Sequence, residues 1–548
     1  MEGSRQLALL KLAQLIRLPG DLVGCILAVE EAHSYPRISS QNKHSLVVQK
    51  TRRAQSPTLM NLRRFIPLVH LLGCALLPIL ITVESANAVT PEPKPNLVFI
   101  LADDLGFAEV GCNGADAYKT PNIDALAKNG ARFSHFYTAP LCGPSRALIL
   151  TGRYGFRTGA VTQDACGSIA RTGENAEIML PTILKRAGYS TAMIGKWGQI
   201  SPSGDAAQWG FDHVMSFKSS GIYWNRSTAK NLLSSYPLEG EKGTSDGVRA
   251  EPGPYTINGK TSTLGDHEYL PDLLHKNALE FIGANTAKGQ PFFLYYSLSH
   301  VHGQILPTPD SGPANPGDNA DQRLAQVYKD NIAYTDKLVG NLVAELERLK
   351  IRENTMIVFM GDNGTAKAHA DHATIGGRRL VGQKGEMTEG GGLVPMLANW
   401  PGKISSGKIE ESVADASDLL PTFAQAAGAP LPESRALDGK SLLPQLTTNC
   451  APARSWIFNQ LGAGWYVREA AWKLNEKGEL FDMSEAPFKE TLVPDSSSDA
   501  SASAARKRLG EALAQLNPEG GIKGEGSGRG DKSKKEDKKK AAKSQPGV

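Results

Sequence analysis

Residues Asn96 to Asp104, NLVFILADD, form an unbroken apolar run of strand length that ends in two adjacent carboxylates. A strand that is apolar on both faces suits a sheet covered on both sides, the arrangement of α/β proteins. In open α/β sheets, ligand sites form beyond the carboxyl ends of the strands. Asp103 and Asp104 stand at such an end and repel each other unless a cation or hydrogen bonds compensate. Taken alone, the pair fits a metal site and a solvated acidic turn equally well.

The same arrangement recurs downstream, where Thr355 to Met360, TMIVFM, runs into Gly361-Asp362-Asn363-Gly364. The repetition tips the reading toward a metal site. Four oxygen-bearing side chains, with no thiolate or paired imidazoles in the pattern, favour a hard cation, Ca²⁺ or less readily Mg²⁺, over zinc. Gln290 to Leu298 is another core strand and leads into His300 and His302. Residues two apart share a face only while the chain stays extended, so one of the two histidines at most is expected at a site, with His300 reading as a polar loop residue. Lys196 follows the strand-like Tyr189 to Ile194. It is a surface charge, or an anion ligand if that strand joins the same sheet.

Leu141 to Arg153, LCGPSRALILTGR, adds a different element. Pro144 fits a first helical turn, where its missing N–H costs nothing, and this places Cys142 at a helix N-terminus. The unpaired N–H groups and the dipole there suit an anionic group or substrate; a small residue packed at a strand-to-helix corner is the plainer alternative. Gly376 to Gly392 is glycine-dense and carries Lys384, Glu386 and Glu389.

Helical patterns at Thr120–Gly130, Glu177–Gly188, Asp321–Lys350 and Ala414–Gly428 alternate with these strands and with Ala131–Tyr137 and Pro395–Trp400. The expected catalytic domain, residues 95–440, is a large, mostly parallel mixed sheet sandwiched by helices. Short strands at 456–461, 465–467, 472–475 and 479–483 predict a smaller antiparallel subdomain over residues 441–494. Residues 199–265 read as loops and short strands. They hold a glycosylation sequon at Asn225 and two aromatic residues, Tyr223 and Trp224, suited to a sugar. Residues 495–548 are expected to be mostly disordered, with one helix over 502–516.

Of 548 residues, 41% are hydrophobic and 21% charged, an ordinary globular composition. The net charge of +4 comes from the ends. Residues 1–88 hold ten Lys/Arg against five Asp/Glu, and the tail from Asp531 holds seven Lys against three acids, so the body between is negative. This excludes a basic nucleic-acid-binding face. Residues 60–88 read as an export signal: Arg63 and Arg64, an apolar run from Phe65 to Val83, and Ala86-Asn87-Ala88 before the expected cleavage. A periplasmic or secreted protein without a stable membrane span follows, with residues 1–59 an over-long leader. Cys112, Cys142, Cys166 and Cys450 remain after cleavage, too few for a disulfide framework.

CGPSR followed by TGR, with NLVFILADDLG, IGKWG, GDNG and GQKGEMTEGG in that order from Pro95 to Met483, resembles the type I sulfatases of the alkaline-phosphatase superfamily. The resemblance implies an alkaline-phosphatase-like fold and hydrolysis of a sulfate monoester. It implies that a separate formylglycine-generating maturation enzyme converts Cys142 to Cα-formylglycine, whose hydrate supplies the nucleophilic oxygen. By the same resemblance Asp103, Asp104, Asp362 and Asn363 bind one Ca²⁺ beside residue 142. Arg146 holds the hydrate and neighbouring charge, Lys196 and Lys384 contact the sulfate, and His302 acts with Lys384 near the leaving oxygen. Two positions depart from the pattern. Gly198 stands where many members have histidine, so Gln199 or His300 is expected to substitute, and Leu393 stands where members often have arginine, a difference of packing. A sulfated carbohydrate is the expected substrate. A phosphonate or phosphodiester hydrolase of the same superfamily is the runner-up, followed by a catalytically silent carbohydrate-binding relative.

Overall fold

The computed structural model describes residues 93–523 apart from 175, 199–205, 218–222, 236–254, 304 and 449. The expected leader and export signal, Gln199 and residues 524–548 lie outside the described residues. The strands of the large sheet are β1 (Asn96–Ala102), β2 (Ala131–Tyr137), β3 (Ser190–Gly195), β4 (His213–Phe217), β5 (Tyr255–Ile257), β6 (Lys260–Ser262), β7 (Phe292–Ser297) and β8 (Thr355–Gly361). After a small hairpin, β9 (Thr374–Ile375) and β10 (Arg378–Arg379), come β11 (Met396–Asn399) and β12 (Lys408–Asp415). Among the described residues the large sheet has ten strands in the order β12-β2-β11-β8-β1-β7-β3-β4-β5-β6. β8, β1, β7, β3 and β4 run parallel, as do β2 and β12, while β11 is antiparallel to both neighbours.

The continuous apolar run of β1 serves two cores at once. Val98, Ile100 and Ala102 join the core on one face, and Leu97, Phe99 and Leu101 join the core on the other. Helices cover both: Cys142–Thr151 (α1) and Leu419–Ala426 (α4) on the second face, Leu270–Ala287 (α2) and Ala320–Arg348 (α3) on the first. The period-2 alternation of a strand therefore explains why β1 has no polar face.

A second sheet is antiparallel throughout, in the order β13 (Ile457–Leu461), β14 (Gly464–Arg468), β15 (Trp472–Asn475), β16 (Leu480–Asp482) and β17 (Thr491–Val493). Ala500–Leu516 (α5) lays Ala502, Ala505, Leu509 and Ala512 on Val467, Leu474 and Leu480 of this sheet. The chain stays packed past the helix: Pro518 is buried and the Ile522 N–H donates to the Phe156 carbonyl at 2.7 Å. The disorder expected from Asn517 is therefore not found over residues 517–523. In the stretch expected to be loops and short strands, Arg226–Ser235 is a helix. Asn225 of the sequon is buried and donates from Nδ2 to Asp266 at 2.7 Å, so it is no acceptor for a glycan in the folded chain.

The small sheet grips the glycine-dense segment of the large domain. Arg468 of β14 is fully buried and lies 3.1 Å from Glu389, which also accepts from Tyr137 Oη at 2.9 Å. Lys473 of β15 donates to the Met387 carbonyl at 2.7 Å. Removing one partner of a buried pair leaves an uncompensated charge and costs about 3–5 kcal/mol. Arg468→Ala is accordingly expected to lower the free energy of unfolding in urea by about that amount, and Arg468→Met combined with Glu389→Gln should recover part of it.

Candidate active site

Four parallel strands deliver side chains to one place. β1 ends at Asp103 and Asp104, β8 at Asp362 and Asn363, β3 at Lys196, and β7 at Ser297, with His302 five residues on. Backbone bonds lock the ends together: the Asp362 N–H donates to the Ala102 carbonyl at 2.9 Å, Lys196 to Ser297 at 2.9 Å and Asp103 to His300 at 2.8 Å. Asp104 adopts φ 62°, a left-handed conformation rare outside glycine, and its own N–H donates to Asp362 Oδ1 at 3.0 Å. Such strain persists where the surroundings over-determine it, as here, in a carboxylate turned back onto its neighbours.

All three carboxylates are buried, and three cations compensate them. Arg146, on the second turn of α1, is fully enclosed. It donates from Nε at 3.1 Å and Nη2 at 2.7 Å to Asp362 Oδ2, and from Nη1 to the Lys196 carbonyl at 2.8 Å and to Ser297 Oγ. Lys196 pairs with Asp103 and Lys384 with Asp104. Burial pushes the Asp104 carboxyl up, but the ammonium groups of Lys384 and Lys196 more than reverse this and hold it well below the carboxylate range. Asp362 is raised to about 6 by burial and by Asp103, against Arg146. Burial opposes the Lys384 and Lys196 ammoniums, yet the adjoining Asp104 and Asp103 respectively raise both above the usual lysine range.

Cys142 opens α1 as expected, and its Sγ lies 3.3 Å from Asp103 Oδ1, 3.5 Å from Asp104 Oδ1 and 3.5 Å from Lys384 Nζ. Burial and then Asp362 raise the thiol well above its ordinary pKa. The side chain is thus a protonated thiol rather than the thiolate a cysteine hydrolase needs. Two of the N–H groups at the helix N-terminus are already taken. That of Gly143 is taken by Gln163 Oε1 at 2.9 Å, that of Ser145 by the Leu141 carbonyl at 3.1 Å, and Pro144 has none. Charge for an anion comes from the lysines.

His302 reaches the site and His300 does not. His302 Nε2 is 3.8 Å from Asp104 Oδ2, and its Nδ1 donates to the Gly303 carbonyl. Burial and then Lys196 lower its pKa to about 3, so the ring is neutral and this contact is polar rather than ionic. His300 is a core residue instead of a loop histidine: fully buried, hydrogen-bonded through Nε2 to Tyr269 Oη at 2.8 Å, and packed among Tyr223, Tyr269 and Tyr334. That rules it out as a stand-in for the histidine missing at Gly198. Tyr223 and Trp224 are also buried. Tyr223 Oη donates to the Ser299 and His302 carbonyls, both at 2.9 Å, and Trp224 Nε1 to Pro307 at 2.9 Å, so they brace the His302 loop instead of facing a sugar. Leu393 is buried and bridges to Tyr137, a packing role.

Asn363 donates from Nδ2 to Asp104 Oδ1 and to the Gly364 carbonyl, both at 2.9 Å, while its Oδ1 is buried without a partner. An orphaned acceptor beside three carboxylates fits a hard divalent cation. Asp103, Asp104, Cys142 and His302 form a possible metal-binding group, each offering a ligand atom within 4.8 Å of the others. Ser297 and Gln163 were not singled out from sequence. Ser297, at a strand's carboxyl end, carried a usable signal; Gln163 carried none.

A buried set of acids and cations at the strand ends of a largely parallel sheet defines a hydrolase of anionic esters with the alkaline-phosphatase-like architecture. The sulfatase family model matches residues 95–429, and the chain belongs to the sulfatase family. It is 33% identical over 371 residues to N-acetylgalactosamine-6-sulfatase of Mus musculus, covering 66% of this chain and 67% of the relative. It is 34% identical over 380 residues to arylsulfatase G of Rattus norvegicus, covering 65% and 69%. The crystal structure of Ps i-CgsB in complex with k-i-k-neocarrahexaose superposes with a TM-score of 0.63 at 28% identity, covering 82% of this chain and 98% of the other. A phosphonate monoester hydrolase from Silicibacter pomeroyi, at 19% identity and TM-score 0.52 over 77% of this chain and 95% of its own, shares the fold alone. The protein is a sulfatase, a hydrolase of sulfate esters.

Gly198 has φ +76°, and a Cβ built there would lie 2.6 Å from Arg146 Cδ. The departure from the family pattern is thus built into the backbone: a side chain at 198 would push Arg146 off Asp362. Loss of a preorganised donor costs about 10²–10³ in kcat. Gly198→Ala is expected to lower kcat for an aryl sulfate by about 10²-fold or more, with Gly198→His no better. A histidine variant that gained activity would show that the position tolerates the imidazole.

Proposed function

We propose that the protein hydrolyses sulfate monoesters of carbohydrates, using Cα-formylglycine made from Cys142 and one Ca²⁺. The observation that carries this reading is the placement of Cys142: a thiol with its pKa driven up, useless as a nucleophile, lies in contact with the acids and a lysine of the charged cluster. Conversion by a maturation enzyme exchanges CH₂–SH for an aldehyde, a two-electron oxidation by an external oxidant with loss of sulfide. The hydrated aldehyde offers two hydroxyls on one carbon, one to take the sulfuryl group and one to expel sulfate afterwards.

Asp103, Asp104, Asp362 and Asn363 would hold the cation, with residue 142 beside them. Bound there, Ca²⁺ would supply Lewis-acid stabilisation of charge on oxygen. Lys196 and Lys384, both protonated, flank the position of residue 142 and supply fixed positive charge to the nonbridging and leaving oxygens. Arg146 keeps Asp362 ionised and in place. Because the Gly303 carbonyl can only accept, His302 carries its proton on Nδ1 and presents a bare Nε2. Protonation of the leaving oxygen therefore falls to Lys384, with His302 as the neutral acceptor beside it.

The carbohydrate assignment draws on the named relatives, an N-acetylgalactosamine-6-sulfatase and a structure holding a neocarrahexaose. Among the described residues no helix is long and apolar enough to cross a membrane. We assign export from the signal-like residues 60–88.

Mass analysis of the peptide spanning residue 142, after co-expression with a maturation enzyme, should show the aldehyde in active preparations. Sulfatase turnover by a chain with unaltered Cys142 would overturn the mechanism. EGTA should abolish activity and Ca²⁺ restore it. General-acid assistance is worth about 10²–10⁴-fold, so Lys384→Met should depress turnover of an alkyl sulfate by about that factor more than that of 4-nitrophenyl sulfate. Equal losses on both would remove Lys384 from the leaving-group role.

A further inference from the structure

We propose that Glu109 is a positioning residue for the leaving-group step, its carboxyl holding the ammonium of Lys384 in place against Asp104. The inference rests on the role given above to Lys384 and goes beyond it in naming what keeps that side chain where it acts.

Glu109 ends the short turn Phe107–Glu109 that follows β1, five residues past Asp104, and is fully buried. Its side chain ties three segments together. Oε2 accepts from the Gly106 N–H at 2.6 Å, Oε1 accepts from Tyr328 Oη of α3 at 2.7 Å, and the Thr365 hydroxyl makes a third hydrogen-bonding contact. Both partners of the Asp104–Lys384 pair are anchored to this carboxyl. Gly106 stands two residues after Asp104, whose left-handed backbone at φ 62° has to be held by its surroundings. Thr365 stands two residues after Asn363, and its carbonyl accepts the Lys384 N–H at 2.9 Å. The two anchors are in close contact, since a Cβ at Gly106 would lie 2.1 Å from Thr365 Oγ1 and 2.9 Å from the Thr365 backbone nitrogen. Tyr328 is itself fixed, stacked on His369 with ring centroids 3.7 Å apart.

A buried carboxylate without a cation is costly, and among the described residues the hydrogen-bond partners of Glu109 are all neutral. Burial pushes the carboxyl up to about 8, so at pH 7 the group is an uncharged acid. Its use is therefore as a bracket of hydrogen bonds, which an amide can reproduce and an apolar side chain cannot. The oxygen of a glutamine would take the Gly106 N–H, and its NH₂ would face the Tyr328 and Thr365 hydroxyls, which accept as well as donate. A shift of the Thr365 carbonyl passes to Lys384 through one hydrogen bond, and misplacing a reacting group by about 1 Å can cost about 10²-fold.

The test compares turnover of an alkyl sulfate and of 4-nitrophenyl sulfate by the converted, full-length enzyme at saturating Ca²⁺. The ratio of the two rates on one preparation is independent of the fraction folded. Glu109→Ala should lower kcat on the alkyl sulfate about 10-fold or more beyond its loss on the aryl sulfate, with KM little changed. Glu109→Gln should keep the parent ratio. Tyr328→Phe, which preserves the stack on His369, should move the ratio in the same direction as Glu109→Ala but less far. In the Lys384→Met background Glu109→Ala should add no further discrimination. Equal losses on the two substrates, a ratio shifted as far in Glu109→Gln as in Glu109→Ala, or a further shift in the Lys384→Met background would overturn the inference. If Lys384→Met itself did not discriminate between the substrates, the leaving-group role of Lys384 would fall and this inference with it. If Lys384→Met discriminated and Glu109→Ala did not, this inference alone would fail.

Discussion

Asp103, Asp104 and Asp362 are neighbours because β1 and β8 pair in parallel with Ala102 opposite Gly361. The register puts three carboxylates, all buried, at adjoining strand ends. Charges about 4 Å apart interact by about 4 kcal/mol even at an effective dielectric of 20, so the cluster is untenable without compensation. Arg146 comes from α1, Lys196 from the end of β3 and Lys384 from the glycine-dense segment. Each must be brought to the same point from a different part of the chain. The close approach of that segment requires glycine: a Cβ at Gly364 would lie 1.8 Å from the Gly390 carbonyl oxygen. The small sheet, through Arg468 and Lys473, then holds the other side of the segment.

The same charge balance decides the fate of residue 142. A cysteine among carboxylates is driven to stay a thiol, and two of the N–H groups at the helix N-terminus are taken by Gln163 and Leu141. An oxygen nucleophile at that position escapes this difficulty, because the surrounding lysines and arginine are arranged for charge on oxygen. Gly198 shows the cost of such tight packing. Arg146 occupies the space that a side chain there would need, so an imidazole at this position has no room unless the guanidinium moves.

Much of this was legible in the sequence because strand ends leave a local signature. An apolar run followed by Asp-Asp or Gly-Asp-Asn-Gly places its oxygens by simple connectivity, and LCGPSRALILTGR sets a helix start through Pro144. The two-faced burial of β1 follows from its lack of polar alternation. What was not legible depends on contacts distant in sequence. His300 looked like a loop residue because nothing nearby announces the tyrosine cage of Tyr223, Tyr269 and Tyr334. Tyr223 and Trp224 looked free to meet a sugar, since their partners at Ser299, His302 and Pro307 lie far along the chain. β17 and the ordering of Pro518 to Ile522 likewise arise from packing on other elements, which composition cannot show.

In the proposed mechanism, repeated turnover requires residue 142 to carry two hydroxyls on one carbon, one to accept the sulfuryl group and one to release it. Cys142→Ser supplies a single hydroxyl in the same place. Mixed with 4-nitrophenyl sulfate, this variant should release no more than one equivalent of nitrophenol per chain and then stop, with the introduced serine side chain found stably sulfated by peptide mass analysis. Sustained turnover by Cys142→Ser at a rate near that of the converted enzyme would contradict it.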